Sequence, residues 1–182
     1  MIGNHGPAYD HRYPADRAAY APICGTSDLR RCSKEQLVNS YDNAIRYSDH
    51  VLSRAIDLLA DQSFTHDTAL LYVSDHGESL GEHGLYLHGV PWRIAPAVQT
   101  TVPMVLWLSA GLNRRLNLDV PCLRNRALGG VSHDHVFHTV LGLLDVRTQD
   151  REPTLDLVTS CRVPALHGAS DFVEPATFAV AG

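Results

Sequence analysis

The sequence lacks any hydrophobic run long enough to cross a membrane. Its longest apolar stretches, Thr68–Val73 and Val102–Leu108, have six and seven residues, whereas a spanning helix needs about 20. The first residues, MIGNH, have neither a basic start nor an apolar core, so we expect no signal peptide. The sequence therefore predicts neither a transmembrane segment nor an export signal in this chain.

Concentrated positive charge is also missing. Fifteen Lys and Arg residues stand against 20 Asp and Glu, which gives a formal net charge of −5, and no basic block stands out. Proteins that bind nucleic acids usually carry a basic patch, so we do not expect a nucleic-acid partner. The 182 residues suit one domain or a piece of one.

The cysteines show no zinc-binding spacing. Cys24, Cys32, Cys122 and Cys161 form no Cys-x-x-Cys pair, which disfavours a structural zinc site. Cys24 and Cys32 flank a loop-like stretch, and Cys122 and Cys161 flank a helical segment, so each pair could form a disulfide. Four free thiols are equally compatible with this spacing. Disulfides would require an oxidising compartment.

Two helices are predicted from apolar periodicity. Ser33 and Gln36 form a capping box, in which each side chain satisfies a backbone N–H of the first turn. A 3.6-residue apolar period follows and lasts to about Ala60. A second such period runs from Ser132 to about Leu144.

Two strands are predicted between these helices. Thr68–Val73 and Val102–Leu108 are short apolar runs rich in strand formers, and we interpret the first as a strand buried on both faces of a parallel sheet. The order of helix, strand, loop, strand and helix indicates an α/β fold, in which ligands bind at the carboxyl ends of the strands. From Val163 onward no pattern holds, and we expect a loose tail.

The loop after the first strand concentrates metal-binding side chains. Residues 74–89, SDHGESLGEHGLYLHG, hold one Asp, two Glu and three His. Asp75 and His76 could converge on one ion, since a carboxylate and an imidazole are usual zinc ligands. Glu78 and Glu82 could orient the histidines or lie in solvent. A solvated loop without a metal remains the alternative.

These sixteen residues resemble the phosphoethanolamine transferases that modify lipid A. That family includes the mobile colistin-resistance enzymes and has an alkaline-phosphatase/sulfatase-like catalytic domain. The resemblance covers about residues 2–162 in collinear order. It rests also on NHGPAY at 4–9, the stretch from Cys24 to Cys32, SKEQLVNSYDN at 33–43, SHD and FHTVLG within 132–142, and the pair Cys161-Arg162.

The resemblance implies a fold. Residues 1–162 would be the C-terminal part of the transferase catalytic domain, a partial sandwich with a mixed, mostly parallel sheet between helices. Residues 163–182 would be an unstructured tail without a counterpart in the family. The resemblance also implies two disulfides, Cys24–Cys32 and Cys122–Cys161.

The resemblance implies site residues as well. Asp75 and His76 match two zinc ligands. His5 and His88 match histidines near the phosphate that either contact the phosphoethanolamine group or hold a second zinc, and we assign them catalytic and substrate-binding roles. The family's threonine nucleophile and a glutamate ligand have no counterpart in this chain, so we expect the chain alone to be inactive.

The function implied for the parent enzyme is zinc-dependent transfer of phosphoethanolamine from phosphatidylethanolamine to lipid A or lipopolysaccharide. It would act at the periplasmic face of the inner membrane, together with the family's membrane domain. Two alternatives remain open. The chain could be a non-catalytic, truncated relic that binds a metal weakly, or a sulfatase-type hydrolase of phosphate or sulfate esters.

Overall fold

The computed structural model describes residues 3–164 and the backbone of residues 176–181. Short 3-10 turns separate its helices and strands. In chain order these are α1 (Lys34–Gln62), β1 (Ala69–Val73), β2 (Ser79–Leu80), β3 (Tyr86–Leu87), α2 (Ala97–Thr100), β4 (Pro103–Leu108), α3 (Ala110–Arg115), α4 (Val120–Ala127), α5 (Asp134–Leu143) and β5 (Ala176–Ala181).

The chain divides into two compact units. We call residues Met1–Ala55 with His76–Thr101 the histidine unit, and residues Ile56–Asp75 with Val102–Gly182 the sheet unit. No helix in the described part of the chain is both long and apolar enough to cross a bilayer.

The sheet unit is built on three strands in the order β1-β4-β5. Leu71 of β1 pairs with Leu106 of β4, and Leu106 pairs in turn with Phe178 of β5. The apolar core includes Leu106 and Leu108 of β4 together with Leu112 of α3 and Leu123 of α4. Ser109 caps α3 by accepting a hydrogen bond from the Leu112 N–H, which fixes the turn out of β4.

The strand directions correct the sequence expectation. Both strand pairs of this sheet are antiparallel, whereas the apolar runs and the family resemblance led us to expect a mostly parallel sheet. The residues of β1 are half-buried and not enclosed on both faces. An apolar run indicates a strand, but it does not show whether a neighbouring strand runs parallel or antiparallel. That direction depends on the connection between the two strands.

The expected tail also needs correction in part. We predicted no structure over residues 163–182, but residues Ala176–Ala181 form β5 and pair with β4 over six positions. Residues 165–175 and 182 lie outside the described residues. The short run ATFAVA acquires its strand conformation through pairing with β4, a long-range contact that local periodicity does not encode.

The histidine unit contains little regular structure besides the part of α1 up to Ala55. The capping box is confirmed: the Gln36 side chain accepts from the Ser33 N–H at 2.8 Å, and the Ser33 hydroxyl accepts from the Gln36 N–H at 3.2 Å. An apolar cluster lies beside this helix and includes Tyr9, Leu29 and Leu37. Leu80 of β2 and Leu87 of β3 pack against this cluster. The functional candidates lie directly before β2 (His76 and Glu78) and directly after β3 (His88).

Both disulfides are confirmed. Cys24 and Cys32 are bonded in the histidine unit with their Cα atoms 5.6 Å apart, and Cys122 and Cys161 are bonded in the sheet unit with 5.5 Å between Cα atoms. The alternative of four free thiols is therefore wrong.

Candidate metal centre

Three histidines from distant parts of the sequence meet in the histidine unit. Each of His5, His76 and His88 offers a ring nitrogen, and these three atoms lie within 4.8 Å of one another. The rings of His76 and His88 are stacked with centroids 3.7 Å apart, and the His5 ring lies edge-on to the His88 ring at 4.8 Å. We call these residues the histidine cluster.

Each ring of the cluster has its Nδ1 beside an oxygen atom. His5 Nδ1 is 2.7 Å from the Gly6 carbonyl, and His76 Nδ1 is 3.0 Å from the Gly77 carbonyl. His88 Nδ1 is 3.2 Å from Oε1 of Glu78. A carbonyl or carboxylate oxygen can only accept, so these contacts place the proton on Nδ1 and the lone pair on Nε2. That tautomer is the one in which Nε2 can bind a metal.

Glu78 is a buried carboxylate that links two of the segments that carry the histidine cluster. Its side chain is 4% exposed and accepts three hydrogen bonds, from the Gly6 N–H at 3.1 Å, from the Tyr9 hydroxyl at 3.1 Å and from His88 Nδ1. A buried carboxylate is stable only when it is partnered in this way. Glu78 therefore connects the segment that carries His5 to the loop that carries His88.

The pKa of the Tyr9 phenol is raised by burial and by the nearby Glu78 carboxylate. The Tyr9 side chain is almost fully buried, and burial raises the pKa of its phenol well above the ordinary range, with the negative charge of Glu78 and the hydrogen bond to it acting in the same direction. The phenol therefore remains a neutral donor to Glu78 at any physiological pH.

The backbone bends sharply on both sides of His88. Leu87 has φ of +63° and Gly89 has φ of +97°, so both adopt the left-handed region that a leucine rarely enters. The strained Leu87 is packed against the apolar cluster that includes Tyr9 and Leu29. Such strain persists only where surrounding contacts overdetermine it. His88, between these two residues, has its Nδ1 3.2 Å from Oε1 of Glu78.

Gly77 lets two loop segments approach closely. Its N–H donates to the Gln99 carbonyl at 2.9 Å, and a Cβ atom at this position would collide with the Val98 carbonyl oxygen. Any larger residue would push residues 98 and 99 away from His76. The glycine after His76 is thus required by packing at this point.

Asp75, the other expected zinc ligand, is the last residue of the sheet unit's first segment (Ile56–Asp75) and lies two residues after β1. Its side chain is exposed, and it is not part of the histidine cluster. The preceding residue, Ser74, accepts a hydrogen bond through its carbonyl from His133 Nε2 at 2.7 Å. His133 thus fixes the backbone immediately before Asp75.

The structure separates the two glutamates of the loop, which the sequence left equivalent. Glu78 contacts a cluster histidine, whereas Glu82 binds Lys34 Nζ at 2.7 Å and the Leu80 N–H at 2.6 Å. Burial acts to raise the pKa of Glu82, but the hydrogen bond from Lys34 and the backbone donors together lower it. Glu82 therefore stabilises the loop and does not contact the histidines of the cluster.

Comparison with known proteins places these features in a family. The sulfatase family model matches residues 1–146. The phosphoethanolamine transferase EptA of Escherichia coli K12 is 46% identical over 162 residues, covering 88% of this chain and 30% of the relative. The Kdo(2)-lipid A phosphoethanolamine 7''-transferase of the same strain is 33% identical over 155 residues, covering 78% of this chain and 25% of the relative.

A solved structure matches in three dimensions. The integral membrane protein lipooligosaccharide phosphoethanolamine transferase A from Neisseria meningitidis is 41% identical and superposes with a TM-score of 0.86, over 90% of this chain and 31% of that one. The expected alkaline-phosphatase/sulfatase-like fold is thereby confirmed. The chain spans less than a third of the length of these relatives. The chain belongs to the sulfatase family and, within it, to the phosphoethanolamine transferases.

Proposed function

We propose that this chain forms part of a transferase that moves phosphoethanolamine from phosphatidylethanolamine to lipid A or lipopolysaccharide. The observation that carries the proposal is the histidine cluster, in which three imidazoles have a common tautomer. It occurs in a chain that is 46% identical to a phosphoethanolamine transferase. The acceptor class follows from the names of relatives, one of which specifies lipid A.

The metal we propose is zinc. Imidazole nitrogens and a carboxylate oxygen are the donors that zinc prefers, and structural and catalytic zinc sites usually have three or four of them. We assign Asp75 and His76 as ligands, with the hydrogen bond from His76 Nδ1 to the Gly77 carbonyl orienting the ring. When bound, zinc would polarise a phosphoryl oxygen and so favour attack at phosphorus.

His5 and His88 contact His76 through their rings, so a phosphoryl group beside His76 would lie within their reach. We propose that they hold the phosphoethanolamine group and move a proton to or from the reacting oxygens. Glu78 supports this role for His88, because its Oε1 lies 3.2 Å from Nδ1 and so orients the ring with Nε2 available to the substrate.

The site of action we propose is the periplasmic face of the inner membrane. Two findings support it. The matched Neisseria structure is described as an integral membrane protein, and both cysteine pairs of this chain are bonded, as oxidising compartments such as the periplasm allow.

Zinc binding tests the site assignment without requiring activity. Calorimetric titration of the purified, oxidised chain should show a dissociation constant on the order of micromolar or below, and Asp75→Ala and His76→Ala should each weaken it at least about tenfold. His66→Ala is the matched control, because His66 is exposed and its ring Nδ1 lies 2.8 Å from the Thr65 hydroxyl, outside the loop of residues 74–89. Equal losses in the control, or no binding at all, would contradict the zinc site.

A chimera tests the transfer reaction and separates the alternatives. Residues 1–162 would replace the matching region of the E. coli transferase, and lipid A would be analysed by mass spectrometry for added phosphoethanolamine. We expect modification that His88→Ala abolishes. A chimera that binds zinc but modifies nothing would favour the relic, and one that only hydrolyses phosphate or sulfate esters would favour the hydrolase.

A further inference from the structure

The histidine unit exposes a compact apolar segment beside the candidate metal centre. We call residues Pro91–Val98 the tryptophan segment. The side chains of Trp92, Ile94 and Val98 are 77%, 70% and 44% exposed, and Trp92–Ile94 forms a 3-10 turn. Isolated exposed apolar residues are common on protein surfaces, but a bulky cluster of them within one short segment typically marks a binding surface.

Both ends of this segment are fixed to the loop that carries His76 and His88. One end follows His88 after two residues. At the other end Gln99 is buried, its carbonyl accepts from the Gly77 N–H at 2.9 Å, and its side-chain amide donates to the Ser79 hydroxyl at 2.8 Å. The tryptophan segment is therefore an exposed projection that the cluster loop holds at two points.

The tryptophan segment carries one positive charge and no negative charge. Arg93 is exposed and is the only Lys, Arg, Asp or Glu between Glu82 and Arg114, although the chain as a whole carries −5. A single cation between a tryptophan and an isoleucine complements an anionic surface that also offers apolar contact. A lipid bilayer with phosphate head groups provides both.

We propose that the tryptophan segment is a membrane-surface contact. Trp92 and Ile94 insert at the boundary between head groups and acyl chains, and Arg93 binds lipid phosphates. Tryptophan is enriched at this depth because its ring is apolar while its indole N–H needs a polar partner. The contact holds the histidine cluster near phospholipid head groups. The choice of a lipid partner rests on the proposed function.

The chain contains its own probe for this contact. It has two tryptophans, of which Trp107 is 4% exposed and Trp92 is 77% exposed, so a change in emission on binding reports Trp92. The full 182-residue chain would be mixed with vesicles of phosphatidylethanolamine and phosphatidylglycerol, and separately with vesicles of phosphatidylcholine alone. We expect a blue shift with the anionic vesicles, and quenching when the lipid acyl chains are brominated.

Three variants test the parts of the contact. Ile94→Ser should weaken partitioning into anionic vesicles about fivefold to tenfold, because it removes a large inserted side chain. Arg93→Gln should weaken it about fivefold while leaving the weaker binding to phosphatidylcholine unchanged. Phe64→Ser is the control: Phe64 is 92% exposed but lies outside the segment, and its loss should change nothing.

Several results would overturn the proposal. Absence of vesicle binding would do so, as would binding without a change in Trp92 emission, or equal losses in the Phe64 and Ile94 variants. If the segment instead contacts a protein, vesicles should leave the Trp92 emission unchanged. Because no transfer is measured and no zinc is added, a negative result here with normal zinc affinity refutes the membrane contact alone. Normal vesicle binding without zinc affinity refutes the proposed site alone.

Discussion

The two units of this chain are stabilised in different ways. The sheet unit has a conventional apolar core in which Leu108 and Val158 are completely buried. The apolar cluster of the histidine unit is smaller and includes Tyr9, Leu29 and Leu37. Both units bury polar side chains, for example Asn43 and Glu78 in the histidine unit and Thr139 and Asp156 in the sheet unit. In the histidine unit, side-chain hydrogen bonds to backbone groups fix several loops. Asn43, for example, accepts from the N–H groups of Ala19 and Tyr20 through Oδ1 and donates to the Tyr20 carbonyl.

This difference follows from what each unit has to hold. Apolar contacts are non-directional and suit a sheet and its helices, whereas orienting an imidazole requires a directional partner. The polar arrangement carries a risk, since a buried group that loses its partner destabilises the fold by the full cost of desolvation. We therefore expect changes to the hydrogen bonds around Glu78 to affect stability and metal affinity together, and changes in the apolar core of the sheet unit to affect stability alone.

The largest expected effect comes from the disulfides. In the chain-entropy treatment, closing the 39-residue span from Cys122 to Cys161 stabilises by about 4 kcal/mol, and closing the 8-residue span from Cys24 to Cys32 by about 2.5 kcal/mol. Urea unfolding of the two paired Cys→Ser variants should reproduce that order. Zinc affinity should fall only in the Cys24/Cys32 variant. A loss of zinc affinity in the Cys122/Cys161 variant alone would contradict the proposed difference between the two units.

A smaller loss of stability is expected for Glu78→Ala. The substitution leaves the Gly6 N–H, the Tyr9 hydroxyl and His88 Nδ1 without their acceptor, which should destabilise by about 2 to 3 kcal/mol. Zinc affinity should fall about 10-fold to 100-fold.

Glu82→Ala is the matched control for Glu78→Ala, because Glu82 lies in the same loop but contacts Lys34 and Leu80. Equal losses of zinc affinity in the two variants, measured by calorimetry, would refute a specific role for Glu78 in supporting the metal site.

Tyr9→Phe should cost about 1 kcal/mol at neutral pH, the usual contribution of one hydrogen bond, and should change the response to alkali. The folded pKa of Tyr9 lies above the unfolded value of 10.0, so the stability that Tyr9 contributes is complete below pH 10 and is lost as the pH rises beyond it. Unfolding titrations above pH 10 should therefore show a slope shallower by about one proton in the variant. An unchanged slope would show that Tyr9 ionises normally in the folded chain.

The smallest effect is expected for the surface pair of Lys34 and Glu82. Both side chains are partly exposed, so Lys34→Met should cost only about 0.5 kcal/mol. Because the folded pKa of Glu82 is lowered, its contribution is present above the unfolded pKa and is lost as the pH falls through the folded value. The difference between wild type and variant should vanish in acid, and a difference that persists there would point to packing of the lysine stem.

Local rules predicted the parts of the fold that are encoded locally. The capping box fixed the start of α1 because Ser33 and Gln36 bond each other's N–H groups within one turn. The apolar runs located β1 and β4 for the same reason. They did not reveal that these strands are antiparallel, nor that residues 176–181 pair with β4, because pairing joins residues that are far apart in sequence.

The candidate site was predicted in composition but not in arrangement. The resemblance predicted that His5 and His88 lie near the zinc ligands, and the structure supplies their arrangement with His76. The segment of His5 reaches the loop through the hydrogen bond from the Gly6 N–H to Glu78, 72 residues away in sequence. Glu78 was indistinguishable from Glu82 in the sequence. Their separate roles became visible only when burial and partners were known.

The sequence by itself determined the family, the two longest helices, α1 and α5, and the set of chemically capable residues, because motifs and periodicity are local properties of the chain. The shorter helices α2, α3 and α4 were not predicted. The tertiary structure alone decided which imidazole nitrogen carries the proton, which glutamate is buried and which apolar residues stay outside the core. Trp92 and Trp107 are both plausible core residues in the sequence, but one is exposed and the other buried. That choice depends on which surfaces the folded chain brings together, and no local pattern records it.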